Sequence, residues 1–304
     1  MSYVPAQNPV AGDLRKNRVD RRFPLYHRAM QLPCMKVVRP RPFLKWAGGK
    51  SQLIPQYETH FPPQFLHYYE PFLGGGAVFF HLQPQRAMLM DINPALVNVY
   101  RCIRDHVEAV IEHLSLHRDR HCQEYYYQIR ASQPATPVEQ AARLIYLNKT
   151  CFNGLYRENS KGLFNVPIGR YKNPLICDSE LLVAVAQALQ FTQIELCPFE
   201  AVLDWASDAS DFVYFDPPYH PISATSKFTA YNRYCFTEAD QRRLCDVFIT
   251  LARRGVKVML SNSDCPLIRQ LYQDFPIHTI LAARSINSKA EKRGKITEVL
   301  VTSY

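Results

Sequence analysis

The sequence predicts an α/β fold: a mostly parallel sheet interleaved with helices and interrupted by a mainly helical insert. Short apolar runs alternate with amphipathic stretches from Phe43 onward. Three of those runs end in acidic or glycine-rich turns, as strands do where a parallel sheet opens onto a ligand. About 120 residues separate the second run from the third, far more than one crossover helix needs.

Taken in order, residues 1–40 hold Pro, Arg and Asn without periodicity and are expected to form a disordered basic arm. The first 41 residues carry nine Lys/Arg against two acids, whereas the remainder carries 27 against 25. Most of the net charge of +9 therefore belongs to the arm, and pI alone is weak evidence that the folded part binds nucleic acid. Such an arm can tether DNA electrostatically. Met35 also opens a natural-looking start, which would make the preceding residues dispensable, and an organelle transit peptide is a third reading.

Strands are expected at His67–Glu70, Arg86–Asp91, Phe212–Phe215, Val256–Ser261 and Glu298–Thr302. Helices are expected at Pro94–Leu114, Pro137–Leu147, Asp178–Ala188 and Glu238–Arg253, the last capped by Thr237. These elements divide the chain into a core of residues 41–95 and 185–304 and an insert of residues 96–184. No run of eighteen apolar residues occurs, so no membrane-spanning helix is expected, and the N-terminus lacks an apolar signal core. The nine cysteines are scattered and include no C-x-x-C pair, which leaves zinc and thioredoxin-type chemistry unsupported. Free thiols in a reducing cytosol are expected, and no metal site.

Three strand ends carry the candidate chemistry. Glycines 74–76 follow Glu70-Pro71-Phe72-Leu73, where a side-chain-free backbone can approach a ligand closely. Asp91 ends the next strand at a distance that suits ribose hydroxyls, although an N-cap for the helix at Pro94 is an equally good use of it. Third, Asp216-Pro217-Pro218-Tyr219 follows the apolar run Phe212–Phe215. The two prolines stiffen that turn and remove two N–H donors, leaving a carboxylate and a peptide carbonyl as acceptors. Such a site suits a substrate nitrogen that carries two hydrogens, and Tyr219 adds a ring for stacking. In the insert, residues 141–177 hold six bases against one acid, Glu158, interleaved with Tyr146, Asn148, Phe152, Asn153, Tyr156, Asn159, Phe164, Asn165 and Tyr171. The bases are Arg143, Lys149, Arg157, Lys161, Arg170 and Lys172. Positive charge with stacking and hydrogen-bonding groups is what a nucleic-acid surface needs, and a solvated loop is the plain alternative.

Together, Phe43-Leu44-Lys45-Trp46-Ala47-Gly48-Gly49-Lys50, the Glu70–Gly76 loop, Asp91-Ile92-Asn93 and Asp216-Pro217-Pro218-Tyr219 resemble the Dam-type (D12 class) DNA adenine-N6 methyltransferases. The resemblance spans nearly all of residues 42–304, including Phe152–Arg157 and Phe164–Tyr171 in the insert. Phe72, Gly74 and Gly76 keep the family's F-x-G-x-G spacing, while Gly75 stands where alanine or serine is frequent. Residues 1–34 have no counterpart.

The resemblance implies a Rossmann-like S-adenosylmethionine-dependent methyltransferase sheet, with residues 96–184 as a DNA target-recognition insert. It implies cofactor contacts from Trp46, Lys50, Phe72, Gly74, Gly76, Asp91 and Asp216. It implies chemistry at Asp216, Pro217 and Tyr219 on an adenine flipped out of duplex DNA. DNA contacts fall to Lys45, Phe152, Asn153, Leu155, Arg157, Pro167 and Tyr171. Within these, Lys45, Leu155, Arg157 and Pro167 correspond to positions that read GATC, Arg157 being suited to guanine and Leu155 and Pro167 to the thymine methyl. The enzyme so implied is monomeric, cytoplasmic and nucleoid-associated, and it either stands alone or accompanies a cognate restriction endonuclease.

Three other readings compete. An N4-cytosine or RNA methyltransferase would share the cofactor site. A DNA-binding regulator with lapsed catalysis would keep the insert alone, yet every residue the chemistry needs is present. A nicotinamide dehydrogenase could use the glycine loop and Asp91, but it gives Asp216 and Tyr219 no role.

Overall fold

The computed structural model describes residues 38–221, 236–283 and 295–304. Up to position 37 the expected arm lies outside the described residues, as do Cys34 and Cys235; the other seven cysteines are free thiols. The chain runs through α1 (Ile54–Tyr57), β1 (His67–Glu70), α2 (Ala77–Leu82), β2 (Ala87–Asp91), α3 (Pro94–Asp119), α4 (Gln123–Ala131), α5 (Pro137–Thr150) and α6 (Ser179–Leu189). It continues through β3 (Thr192–Leu196), β4 (Asp211–Phe215), α7 (Glu238–Arg253), β5 (Lys257–Ser263), α8 (Pro266–Leu271), β6 (Ile277–Ala283) and β7 (Lys295–Thr302).

The seven strands form one sheet in the order β3-β2-β1-β4-β5-β7-β6. The pairs from β3 through β5 are parallel, and β7 lies antiparallel between β5 and β6. This is the expected Rossmann-like α/β sheet. Both faces are covered, which is why Ala87–Met90 of β2 and Phe212–Phe215 of β4 read as unbroken apolar runs. Tyr68, Phe212, Tyr214 and Met259 face a core shared with α3, α5 and α6, whereas Tyr69, Val213, Phe215 and Val258 face one shared with α7 and α8. The strand order reverses between β1 and β4, and the crevice at such a reversal is where an open α/β sheet binds its ligand.

Helix starts follow their caps. Thr136 and Thr237 each form a reciprocal capping box, with Glu139 and Asp240 respectively. Besides the short helices α1, α2 and α8, three elements are absent from the expected set. β3 is a five-residue edge strand that buries only Thr192 and Ile194, too little apolar surface to stand out. Arg101 Nε and Arg104 Nη1, both from α3, donate to the Ile194 and Thr192 carbonyls of this strand at 2.8 Å. β6 pairs only with β7, and α4 buries a single side chain, Tyr126, so each has a weak period of its own.

Candidate functional site

The turn after β4 is organised by one buried cation. Lys50 Nζ lies 2.8 Å from Asp216 Oδ1, donates to the Gly48 carbonyl at 2.6 Å, and sits 4.7 Å from the centroid of the Tyr219 ring. Only 4% of Lys50 is exposed, so its ammonium needs these partners. Asp216 Oδ1 also accepts from Ser261 Oγ at 2.9 Å, and the Tyr219 hydroxyl donates to Glu298 Oε2 at 2.8 Å.

The backbone of the turn is fastened as well. Asn262 Oδ1 accepts from the His220 N–H (3.2 Å), Ser263 Oγ donates to the His220 carbonyl (2.7 Å), and Gln241 Nε2 donates to the Pro218 carbonyl (2.9 Å). Asn262 in turn donates to Gln241 Oε1 at 3.0 Å. With two ring-locked φ angles, these bonds leave the acid and the aromatic ring little freedom.

Across the crevice, Gly74 takes a left-handed φ of +48°, its N–H donates to Asp91 Oδ2 (3.3 Å), and its carbonyl accepts from Tyr100 (3.2 Å). A Cβ at Gly74 would lie 3.1 Å from Trp46 Cδ1, so this backbone passes directly under the indole. Asp91 does not cap α3. Asn93 does, accepting from the N–H groups of Ala95 and Leu96, while Asp91 accepts from the Asn93 N–H at 2.9 Å. Burial pushes Asp91 up to about 6 and Glu70 up to about 8. Glu70 accepts from Tyr68 at 2.8 Å, which, with Lys50, opposes the rise that burial and the nearby Asp216 charge cause. Phe72 is half-buried and stacks on Phe199 at 5.4 Å, on the α7 side of the sheet.

The insert is interlocked with this crevice. Buried Asn148 of α5 accepts from the Lys45 N–H and donates to the Lys45 carbonyl, both at 2.8 Å, and donates to the Gly154 carbonyl at 3.0 Å. Trp46 stacks on Tyr156 at 5.2 Å, and Lys45 Nζ lies 4.1 Å above the Tyr171 ring. Any side chain at Gly154 would overlap the Lys45 stem. The Phe152 N–H donates to the Pro167 carbonyl (2.9 Å), and Asn153 holds a left-handed φ of +55° beside it. Arg157 Nε donates to Asn165 Oδ1 at 2.7 Å. Thus Lys45, Phe152, Asn153, Leu155, Pro167 and Tyr171 gather in one cluster; all but half-buried Leu155 are exposed, and Arg157 extends from the same loop.

Part of the basic surface read from sequence is not surface. Arg143 turns inward, donating to the Ile129 and Arg130 carbonyls at 2.8 and 2.6 Å and closing the end of α4, while Tyr146 and Asn148 are buried. Sequence reasoning also missed Ser261, Asn262, Gln241 and Glu298. The first two carried a readable signal, a polar Ser-Asn-Ser ending on an otherwise apolar strand.

Among the described residues, no group of three or more His, Cys, Asp or Glu could hold a metal ion, and no helix is long and apolar enough to cross a membrane. A family model described as D12 class N6 adenine-specific DNA methyltransferase matches residues 46–286. The chain is similar to a type II methyltransferase of Lactococcus lactis subsp. cremoris, with 48% identity over 272 residues, 87% of this chain and 95% of that protein. It is 42% identical over 287 residues to a type II methyltransferase of Methanocaldococcus jannaschii, covering 87% of this chain and 99% of the relative. It is 38% identical over 266 residues to a DNA adenine methylase of Escherichia coli strain K12, covering 86% and 94%.

Proposed function

The chain belongs to the D12 class of N6 adenine-specific DNA methyltransferases, and from that premise we propose that it methylates adenine N6 within GATC, using S-adenosylmethionine and a base flipped from the duplex. The observation that carries this reading is the Lys50–Asp216–Tyr219 arrangement at the sheet's reversal point. S-Adenosylmethionine supplies, when bound, a methyl group on a positively charged sulfur. The residues fit such a group. Asp91 offers acceptors for ribose hydroxyls, Gly74 keeps its backbone bare beneath Trp46, and Phe72 and Gly76 belong to the same turn.

The chain's own residues account for the activation of adenine. Its exocyclic nitrogen is a poor nucleophile because the lone pair is delocalised into the ring. Asp216 and the Pro217 carbonyl accept the two N6 hydrogens, which localises that pair on nitrogen. Lys50 keeps a positive charge on Asp216, and the Tyr219 ring stacks on the base. Catalysis is then orientation and electrostatics, with no covalent enzyme intermediate. As nitrogen gains the methyl group it releases one proton, for which Asp216 is the nearest acceptor.

Residues 96–184 carry target recognition, while residues 41–95 and 185–304 carry the chemistry. Phe152 and Asn153 push into the stack beside the flipped base, Lys45, Leu155, Arg157 and Pro167 read the site, and Tyr171 contacts the DNA. The enzyme works as a monomer on duplex DNA.

The test is methylation of unmodified genomic DNA with S-adenosylmethionine, read by sequencing that detects modified bases without presuming a site. N6-methyladenine confined to GATC and lost in Asp216→Ala is the expected result. Methyladenine at another motif would overturn the assignments of Lys45, Leu155, Arg157 and Pro167, and modified cytosine would overturn the reading of Asp216.

A further inference from the structure

Tyr219 is fixed from both ends. Its backbone follows two prolines and leads into His220, whose N–H is bonded to Asn262. Its hydroxyl donates to Glu298 Oε2 at 2.8 Å, from a residue 79 positions later in the chain. Glu298 sits on β7, opposite Ser263 of β5 and Ile280 of β6, where β7 runs antiparallel to both neighbours. A carboxylate there is costly: burial raises its pKa, against the pull of Lys50 and of the Tyr219 bond. Neither the apolar core behind β7 nor the sheet ladder calls for an acid at this position.

We propose that Glu298 is a positioning residue for methyl transfer, holding the tip of the Tyr219 ring through the hydroxyl so that the ring stays where the flipped adenine stacks. The inference rests on the reading of Tyr219 as the stacking residue. A ring held only at its Cβ swings about the Cα–Cβ bond, and a second anchor at the far end of the ring removes that swing; its tilt about its own long axis is left to the contacts on its face. The hydroxyl is the one atom of Tyr219 that can provide that anchor, and the acceptor it meets at 2.8 Å is Glu298, with the Ser261 hydroxyl also within reach. Lys50 acts on the face of the same ring, so the ring is placed by an anchor at its tip and a charge beside it.

A double-mutant cycle tests this with the full-length enzyme, GATC duplex and S-adenosylmethionine, reading the single-turnover rate separately from DNA and cofactor affinity. Glu298→Ala and Tyr219→Phe are each expected to slow methylation about tenfold, the effect of losing one hydrogen bond to a charged group, with affinities little changed. Glu298→Gln, which still accepts from the hydroxyl, is expected to restore most of the rate. In the Tyr219→Phe background, Glu298→Ala should cost nothing more. Equal losses from Glu298→Ala in both backgrounds would overturn the inference, because Glu298 would then act without the hydroxyl. An unaltered rate in Tyr219→Phe would overturn it too. Absence of adenine methylation by the unmodified enzyme would instead overturn the functional reading on which it rests.

Discussion

The side-chain amide of Asn148 closes a ring on the backbone of Lys45, taking its N–H and giving to its carbonyl from 103 residues away. A third bond, to the Gly154 carbonyl, completes the amide's work. One buried side chain therefore holds the segment of Trp46 and Lys50 against the segment of Phe152 to Arg157. Asn148→Ala strands three backbone groups, one donor and two acceptors, around a buried side chain. The expected loss is about 1–3 kcal/mol of stability, read by urea unfolding. Asn148→Asp keeps the acceptor but loses both donors, so it should not restore the unmodified value.

Gly74→Ala meets two obstacles at once, a left-handed φ of +48° and the indole of Trp46 at 3.1 Å. The backbone term alone is about 1–2 kcal/mol. Calorimetric titration with S-adenosylhomocysteine should show weaker binding, because Trp46 must move to admit the methyl group. Binding as tight as in the unmodified enzyme would mean that the indole lies outside the cofactor site.

Arg157→Ala should relax sequence choice rather than abolish methylation. A bidentate contact to guanine is worth about 1–3 kcal/mol of discrimination. The ratio of kcat/KM for GATC over sites altered at the guanine is the measurement. Arg157→Lys keeps the charge but loses the planar fork, so it should resemble alanine in that ratio. An unchanged ratio in both variants would make Arg157 a phosphate contact.

Glu70 gives stability a pH dependence of definite sign. In the native chain burial holds its proton up to about 8, whereas in the unfolded chain a glutamate ionises at about 4.3. Between those values the native state binds a proton that the unfolded state has released, so stability falls as pH rises through that window. The limiting slope for one proton is about 1.4 kcal/mol per pH unit. Asp91 acts in the same direction, but only up to about 6. Urea unfolding across the window should therefore give a flatter profile for Glu70→Gln, above all between about 6 and 8. Parallel profiles would show that Glu70 is already ionised in the native protein.

How much of this was legible depends on where each signal lies. β2 and β4 announce themselves because a strand covered on both faces reads as a nearly continuous apolar run, Ala87–Met90 and Phe212–Phe215 here. α7 announces itself through Thr237, whose cap is local, and Thr136 carries the same kind of signal for α5. β3 is silent because an edge strand buries half its residues, and Thr192 and Ile194 make no pattern. Asp91, Asp216 and Tyr219 were readable as strand-end residues. Their partners were not, since the pairing of Lys50 with Asp216 and of Tyr219 with Glu298 exists only once the sheet has closed. Arg143 shows the opposite failure. A composition count registers its charge, and only the fold reveals that the charge points at α4 carbonyls.

The arginines that reach β3 have a consequence beyond the helix they come from. An open sheet margin is a template on which a second chain can lay a strand, and the risk is greatest while many copies are being made. Arg101 and Arg104 occupy the Ile194 and Thr192 carbonyls that an added strand would need. Two guanidinium groups thus guard this margin against self-assembly, leaving the sheet to end where β3 ends.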